Sequence, residues 1–134
     1  MPFETIEGRP ITGTDAWNVG LIVNHARNNI VRSEFSAWDV AVVDEQTGST
    51  IYSRSEASNA DISGIFLFFD TLQTDDYWGK NDKGYNFRHQ MRQTELTAAS
   101  TSLAGGRTYL FTYTFTTTDY GDLKQQFRWI MKPE

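Results

Sequence analysis

The sequence predicts an all-β domain built as a two-sheet antiparallel sandwich, entered by an extended N-terminal arm. Two observations carry this. Several segments alternate large apolar and polar residues with a period of two, which is the pattern of a strand with one buried face. Between them lie turn-forming clusters, and the chain has no convincing helical period beyond a turn or two. Six to eight short strands separated in this way indicate a sandwich or barrel.

The 134 residues suit a single domain that forms its core without staples. Only 39% of them are hydrophobic, but 14% are aromatic. Each large ring buries roughly 150–250 Å², so a folded core rather than a disordered chain is expected. With 12 Lys and Arg against 17 Asp and Glu, the net charge is −5. The basic residues are scattered, and nucleic-acid binders need a basic stripe. Nucleic acid and anionic membrane are therefore not expected as partners. There is no cysteine, which excludes a thiol nucleophile, a disulfide frame and a Cys-type zinc site. No signal peptide is visible at Met1 to Glu7, and the longest apolar run, Ile65 to Phe69, is far too short for a membrane helix. The expected state is soluble.

Residues 1–15 (MPFETIEGRPITGTD) have no period and contain Pro2, Pro10, Gly8 and Gly13. They read as the arm, with one short edge strand near Pro10 to Thr12. Phe3, Ile6 and Ile11 are its apolar groups. They are expected to pack on the edge of their own sandwich or, by slight preference, on a neighbouring subunit. Residues 16–134 are then one β-sandwich domain.

In that domain Trp17, Val19, Leu21, Val23 and His25 alternate with Asn18, Gly20, Ile22 and Asn24, a strand with the first set on one face. Asn28-Asn29 marks a turn, and Ile30 to Phe35 reads as a short strand. Trp38, Val40 and Val42 alternate next. Asp44 to Ser49 (DEQTGS) is turn-forming, and Ile51 to Ser53 returns, so a hairpin is expected here. Residues 54–64 are polar and loop-like. Ile65 to Phe69 is apolar on both faces, as in a central strand. Asp70 to Gly84 fits no period and reads as a long loop. Tyr85, Phe87, His89 and Met91 alternate with Asn86, Arg88, Gln90 and Arg92, giving one apolar and one basic-polar face. Glu95 to Leu103 could form one helical turn. After Gly105-Gly106, Tyr109, Phe111, Tyr113 and Phe115 alternate with Leu110, Thr112, Thr114 and Thr116. A turn at Thr118 to Asp122 leads to Phe127, Trp129 and Met131.

No catalytic constellation is found. The chain lacks G-x-S-x-G, G-x-G-x-x-G and a Walker-type loop. His25 and His89 show no metal-ligand spacing, so each reads as a buried or boundary histidine with a hydrogen-bond partner. Asp75-Asp76 is adjacent rather than facing, unlike a glycosidase pair. The 70–84 loop holds the main surface candidates. Asp70, Asp75, Asp76 and Asp82 could gather around calcium, but their spacing does not match a calcium loop. Tyr77 and Trp78, with Asp76, Asn81 and Asp82, could stack on and hydrogen-bond a sugar, or dock on a protein. Trp38 and Trp129 read as core. No cofactor and no metal are expected.

Tyr85-Asn-Phe87-Arg-His89, Ser102-Leu103-Ala104-Gly105-Gly106, Thr108-Tyr109-Leu-Phe111-Thr-Tyr113-Thr-Phe115 and Phe127-Arg-Trp129-Ile-Met131 follow one another in the last fifty residues. This run, residues 85–131, resembles the closing strands of immunoglobulin-like domains in tailed-phage virion proteins, such as the N-terminal domain of baseplate upper proteins and some capsid decoration domains. The turn before the last strand is longer here than the Asp-Gly turn of those domains. The sandwich is expected to be immunoglobulin-like, as the resemblance implies, or jelly-roll-like. The resemblance also implies a non-enzymatic virion accessory protein that self-associates or binds capsid or tail proteins. A carbohydrate-binding sandwich module is the alternative expectation, carried by Tyr77-Trp78.

Overall fold

The alternating residues of Trp38 to Val42 and Tyr109 to Phe115 dictate the centre of the molecule. The computed structural model describes residues 5–8, 16–23, 29–59, 66–73, 84–91, 108–118 and 121–130. They form β1 (Thr5–Gly8), β2 (Ala16–Gly20), a 3-10 turn (Arg32–Glu34), β3 (Phe35–Asp44), β4 (Thr50–Glu56), β5 (Phe66–Gln73), β6 (Tyr85–Met91), β7 (Thr108–Thr117) and β8 (Asp122–Ile130). Two sheets pack together, β1-β8-β7-β3-β4 and β2-β6-β5. Lettering β2 to β8 as B, C, C′, D, E, F and G, the sheets read C′CFG and BED. This is the strand order of an immunoglobulin-type sandwich.

The strand faces follow the period-two pattern. Trp38, Val40 and Val42 from β3, Phe87 from β6, Tyr109, Phe111, Tyr113 and Phe115 from β7, and Leu123, Phe127 and Trp129 from β8 form the core between the sheets. β3 pairs with β7 through Val40↔Tyr113 and Val42↔Phe111, and β7 pairs with β8 through Phe111↔Phe127 and Tyr109↔Trp129. This register stacks the large rings across neighbouring strands. Phe87 from the second sheet meets Tyr113 edge-on at 4.9 Å and Phe115 at 5.6 Å between ring centroids. Edge-to-face contact is the arrangement that ring quadrupoles favour.

The turns close for identifiable reasons. At the β3–β4 hairpin the Asp44 carboxylate accepts the Gln46 N–H at 3.0 Å, and the Asp44 carbonyl accepts from Gly48 at 2.8 Å. Gly48 has φ 76°, which costs a glycine little and a side-chain-bearing residue much. At the β7–β8 turn Gly121 has φ 69°, and its carbonyl accepts from both the backbone N–H and the hydroxyl of Thr117.

Several sequence expectations are corrected. The expected edge strand near Pro10 to Thr12 lies outside the described residues, and the strand described in the arm is Thr5–Gly8. It runs parallel to β8, with Thr5↔Gln126 and Gly8↔Trp129, whereas every other pairing of the two sheets is antiparallel. For this stretch the backbone pairs with the chain's own sheet. β2 stops at Gly20 instead of continuing through His25, and Asn18 and Gly20 are buried in it while Val19 is half-buried. Ile30 to Phe35 is not a strand. The Glu34 carboxylate accepts the Val31 N–H at 3.2 Å, and the Asn59 amide donates to the Arg32 and Phe35 carbonyls at 2.8 and 3.0 Å. These bonds hold a 3-10 turn there. β4 takes in residues 54–56, and β5 extends through Gln73 into the expected loop.

The largest correction concerns β6. Two residues of its polar parity do not face solvent: Asn86 and Arg88 are each 1% exposed. Asn86 accepts from the Ile22 N–H at 2.9 Å and donates to the carbonyls of Ile22 and Ile30 at 3.1 and 3.2 Å. One side chain thus satisfies three backbone groups where the chain leaves β2 and returns toward β3. A buried strand must satisfy such groups internally.

Phe111 is fully buried and its neighbour Thr112 sits on the opposite parity. Phe111→Ala should cost about 3–5 kcal/mol in a urea unfolding titration, as large-to-small core changes do. Thr112→Ala should stay within about 0.5 kcal/mol or so of wild type. Equal losses would contradict the register.

Candidate interaction surface

Two polar arrangements decide what this sandwich can do, one inside it and one on its outer face. The inner one begins with Asn18 on β2. Its amide N–H donates to the Tyr113 hydroxyl at 2.8 Å, and its carbonyl oxygen accepts from the Trp129 indole N–H at 2.7 Å. The Tyr113 oxygen lies 2.7 Å from Nδ1 of His89 on β6. The tyrosine oxygen accepts from Asn18, and its hydrogen bond with Nδ1 takes its direction from the imidazole tautomer.

Burial first, and the Arg54 guanidinium second, push the His89 pKa down to about 3. Trp38 meets the imidazole edge-on at 5.5 Å. His89 and Tyr113 are both 0% exposed. A base needs reach to a substrate proton, and this pair has no surface to offer one. It ties β2 and β6 to β7 and β8. Among the described residues, no three of His, Cys, Asp and Glu gather where one metal ion could bind.

The outer arrangement is the solvent face of the five-stranded sheet. β7 contributes Leu110, Thr112, Thr114 and Thr116, β3 contributes Ala37, Asp39, Ala41 and Val43, and β8 contributes Lys124, Gln126 and Arg128. The register sets them in rows: Ser55–Asp39–Thr114–Lys124, then Ser53–Ala41–Thr112–Gln126, then Val43–Leu110–Arg128. Small side chains fill the middle, so the face is low in relief. Gln126 donates to the Thr112 hydroxyl at 3.2 Å, and Arg128 pairs with Glu45 of the hairpin turn at 2.7 Å. Asp39 and Lys124 are exposed, flank Thr114 in one row, and have no ion-pair partner among the described residues.

The residues singled out from sequence fall largely elsewhere. Phe3, Ile11, Asp76, Tyr77, Trp78, Asn81 and Asp82 lie outside the described residues, as does His25. Ile6 lies in β1, registered against Phe127 of β8. His89 takes the buried, hydrogen-bonded role expected of it. Sequence reasoning missed Asn18, whose only signal is a polar residue between Trp17 and Val19. It also missed the outer face, although the Thr112, Thr114 and Thr116 series marks that parity.

The inner network generates two expected outcomes. Tyr113→Phe removes the shared hydroxyl and leaves a buried amide donor and a buried imidazole nitrogen unmatched. It should lower unfolding free energy by about 1–3 kcal/mol, read by urea denaturation. The second concerns pH. The His89 pKa is depressed in the fold from an ordinary 6.5, so below that value the unfolded chain binds the extra proton. The stabilisation is complete above about pH 6.5 and declines as pH falls toward 3, with a slope of up to about 1.4 kcal/mol per pH unit. His89→Gln should flatten this slope between about pH 6 and 4.5, before most carboxylates titrate. An unchanged slope would mean that His89 does not control it.

No protein-family model matches this chain, and no curated protein sequence matches it either.

Proposed function

We propose that this chain is a non-enzymatic structural module that works through protein–protein contact, as an accessory component of a virion. In this reading it decorates a capsid or forms part of a tail or baseplate. The observation that carries the contact role is the outer face of the five-stranded sheet. That face is broad, small-residued and sparsely charged. It is backed by a core of interlocked aromatic rings, so it meets a partner without reordering. A pre-organised surface loses little entropy on binding. A module of this kind acts by surface complementarity and needs no cleft.

The virion assignment draws its support from the resemblance over residues 85–131. The strands β6, β7 and β8 fall within that stretch, and the immunoglobulin-type strand order is consistent with it. Virion proteins and other copies of this chain are the proposed partners, and the particle is the proposed location.

Quantitative mass spectrometry of gradient-purified particles, from cells that carry the gene, is the test. The protein should be present at a fixed ratio to the major capsid or tail protein. Particles without it would overturn the virion assignment.

A further inference from the structure

We propose that the outer face of the five-stranded sheet binds a second copy of this chain, about a two-fold axis that lies in the interface along β7 and passes over Thr114. The proposal rests on the contact reading above and names the partner and its geometry.

Charge placement carries it. Asp39 on β3 and Lys124 on β8 stand one strand to either side of Thr114 in the same cross-strand row. Neighbouring strands are about 4.8 Å apart, so the two charges sit symmetrically about β7. A two-fold axis along β7 exchanges the β3 side of one copy with the β8 side of the other. Asp39 of each copy then faces Lys124 of its mate, and two opposite-charge pairs form at once. This is the isologous pattern, in which residue i meets j and j meets i. Neither side chain has an ion-pair partner within its own chain among the described residues. The same rotation sets Thr114 on Thr114 at the axis, where small side chains let two sheets approach to about 10 Å. It sets Ala41 across from Gln126, and Val43 across from the Arg128 stem. No like charges of this central row oppose one another.

The size of the face fits a modest dimer. Four strands at about 4.8 Å spacing, each about eight residues long at 3.4 Å rise, give roughly 500 Å² per copy. The total of about 1,000 Å² is at the lower bound for a specific interface. Association in the micromolar to millimolar range is expected on that area.

Sedimentation equilibrium of the full chain at low salt, over a concentration range reaching about 1 mM, is the test. Wild type should dimerise, and the dimer should weaken as salt is raised. Asp39→Lys places two lysine pairs in opposition and should weaken association by about tenfold or more, as should Lys124→Asp. The double variant Asp39→Lys/Lys124→Asp restores both pairs with reversed sign and should return to within about threefold of wild type. Both positions are exposed, and circular dichroism should confirm that each variant is folded. A wild type that is monomeric at about 1 mM overturns the proposal. So does a dimer indifferent to the single reversals, or a double variant no better than the singles. A monomer that is nevertheless found in purified particles would leave the contact reading standing and remove only the self-association.

Discussion

Tyr113 carries a hydroxyl that sits between the two sheets and is hydrogen-bonded to two strands of the facing one. It accepts from Asn18 on β2 and shares a hydrogen bond with Nδ1 of His89 on β6. Asn18 in turn accepts from Trp129 on β8. Two strands of each sheet are thereby fixed by three bonds of 2.7 to 2.8 Å. Antibody-type sandwiches join strands B and F by a disulfide packed against a tryptophan of strand C. This chain has no cysteine, yet β2 and β7 occupy those two places, and Trp38 of β3 lies beside Tyr113 at 6.4 Å. A polar pin stands where the covalent one would be. The difference is energetic as well as chemical. A disulfide acts mainly on the unfolded chain, whereas buried hydrogen bonds contribute about 1 kcal/mol each and cost more than that when one partner is lost. The pin therefore specifies how the sheets sit on each other more than it strengthens them, and it is indifferent to redox conditions.

The rest of the core is arranged around that pin. Phe87, one turn of the pleat from His89, meets Tyr113, Phe115 and Phe127, all within 6.2 Å between centroids. Phe111 and Trp129 stack at 4.5 Å beyond them. The rings leave little room for the sheets to slide, because any shift in register breaks an edge-to-face contact and a hydrogen bond together. On the far side of β6, Asn86 repeats the device against backbone rather than side chains, fixing the entry and exit of the segment between β2 and β3. Both faces of β6 are thus specified by polar contacts made from a strand that is buried on either side.

This explains which parts were legible in the sequence. Tyr109 to Phe115 and Trp38 to Val42 bury one parity against the core and leave the other to solvent, so their alternation reads directly as strands. β6 also reads as a strand, but its Asn86 and Arg88 read as solvent-facing, since pattern alone cannot separate a polar residue in water from one bonded in the interior. Asn18 was hidden for the same reason, being the inward residue of a strand whose apolar neighbours suggested the opposite parity. The 3-10 turn at Arg32–Glu34 depends on Asn59, more than twenty residues away, and no local window contains that information. The parallel pairing of β1 with β8 joins residues more than 120 positions apart, which no local window contains either. The outer face was overlooked because a threonine series marks a parity without saying that five strands align it into one surface.

The edges of the larger sheet bear on where association can occur. An exposed edge strand offers unpaired backbone groups to any other strand, and natural sheets guard it with short strands or inward-pointing charges. Here one edge is β1, four residues long among the described residues. The other is β4, where Arg54 and Glu56 are registered against Val40 and Trp38 and so occupy the inward parity. They pair with each other at 2.8 Å. Adding a further strand beyond β4 would extend the sheet past these charges and enclose them, at the desolvation cost that buried ions carry. Edge-to-edge growth, which would lead to open-ended assemblies, is therefore disfavoured at the β4 side of the sheet. The face remains: its central strands β8, β7 and β3 have a paired neighbour on each side, it carries small side chains along β7, and it sets one acid and one base symmetrically about that strand. A closed contact through the face is the form of association that this distribution of charge permits.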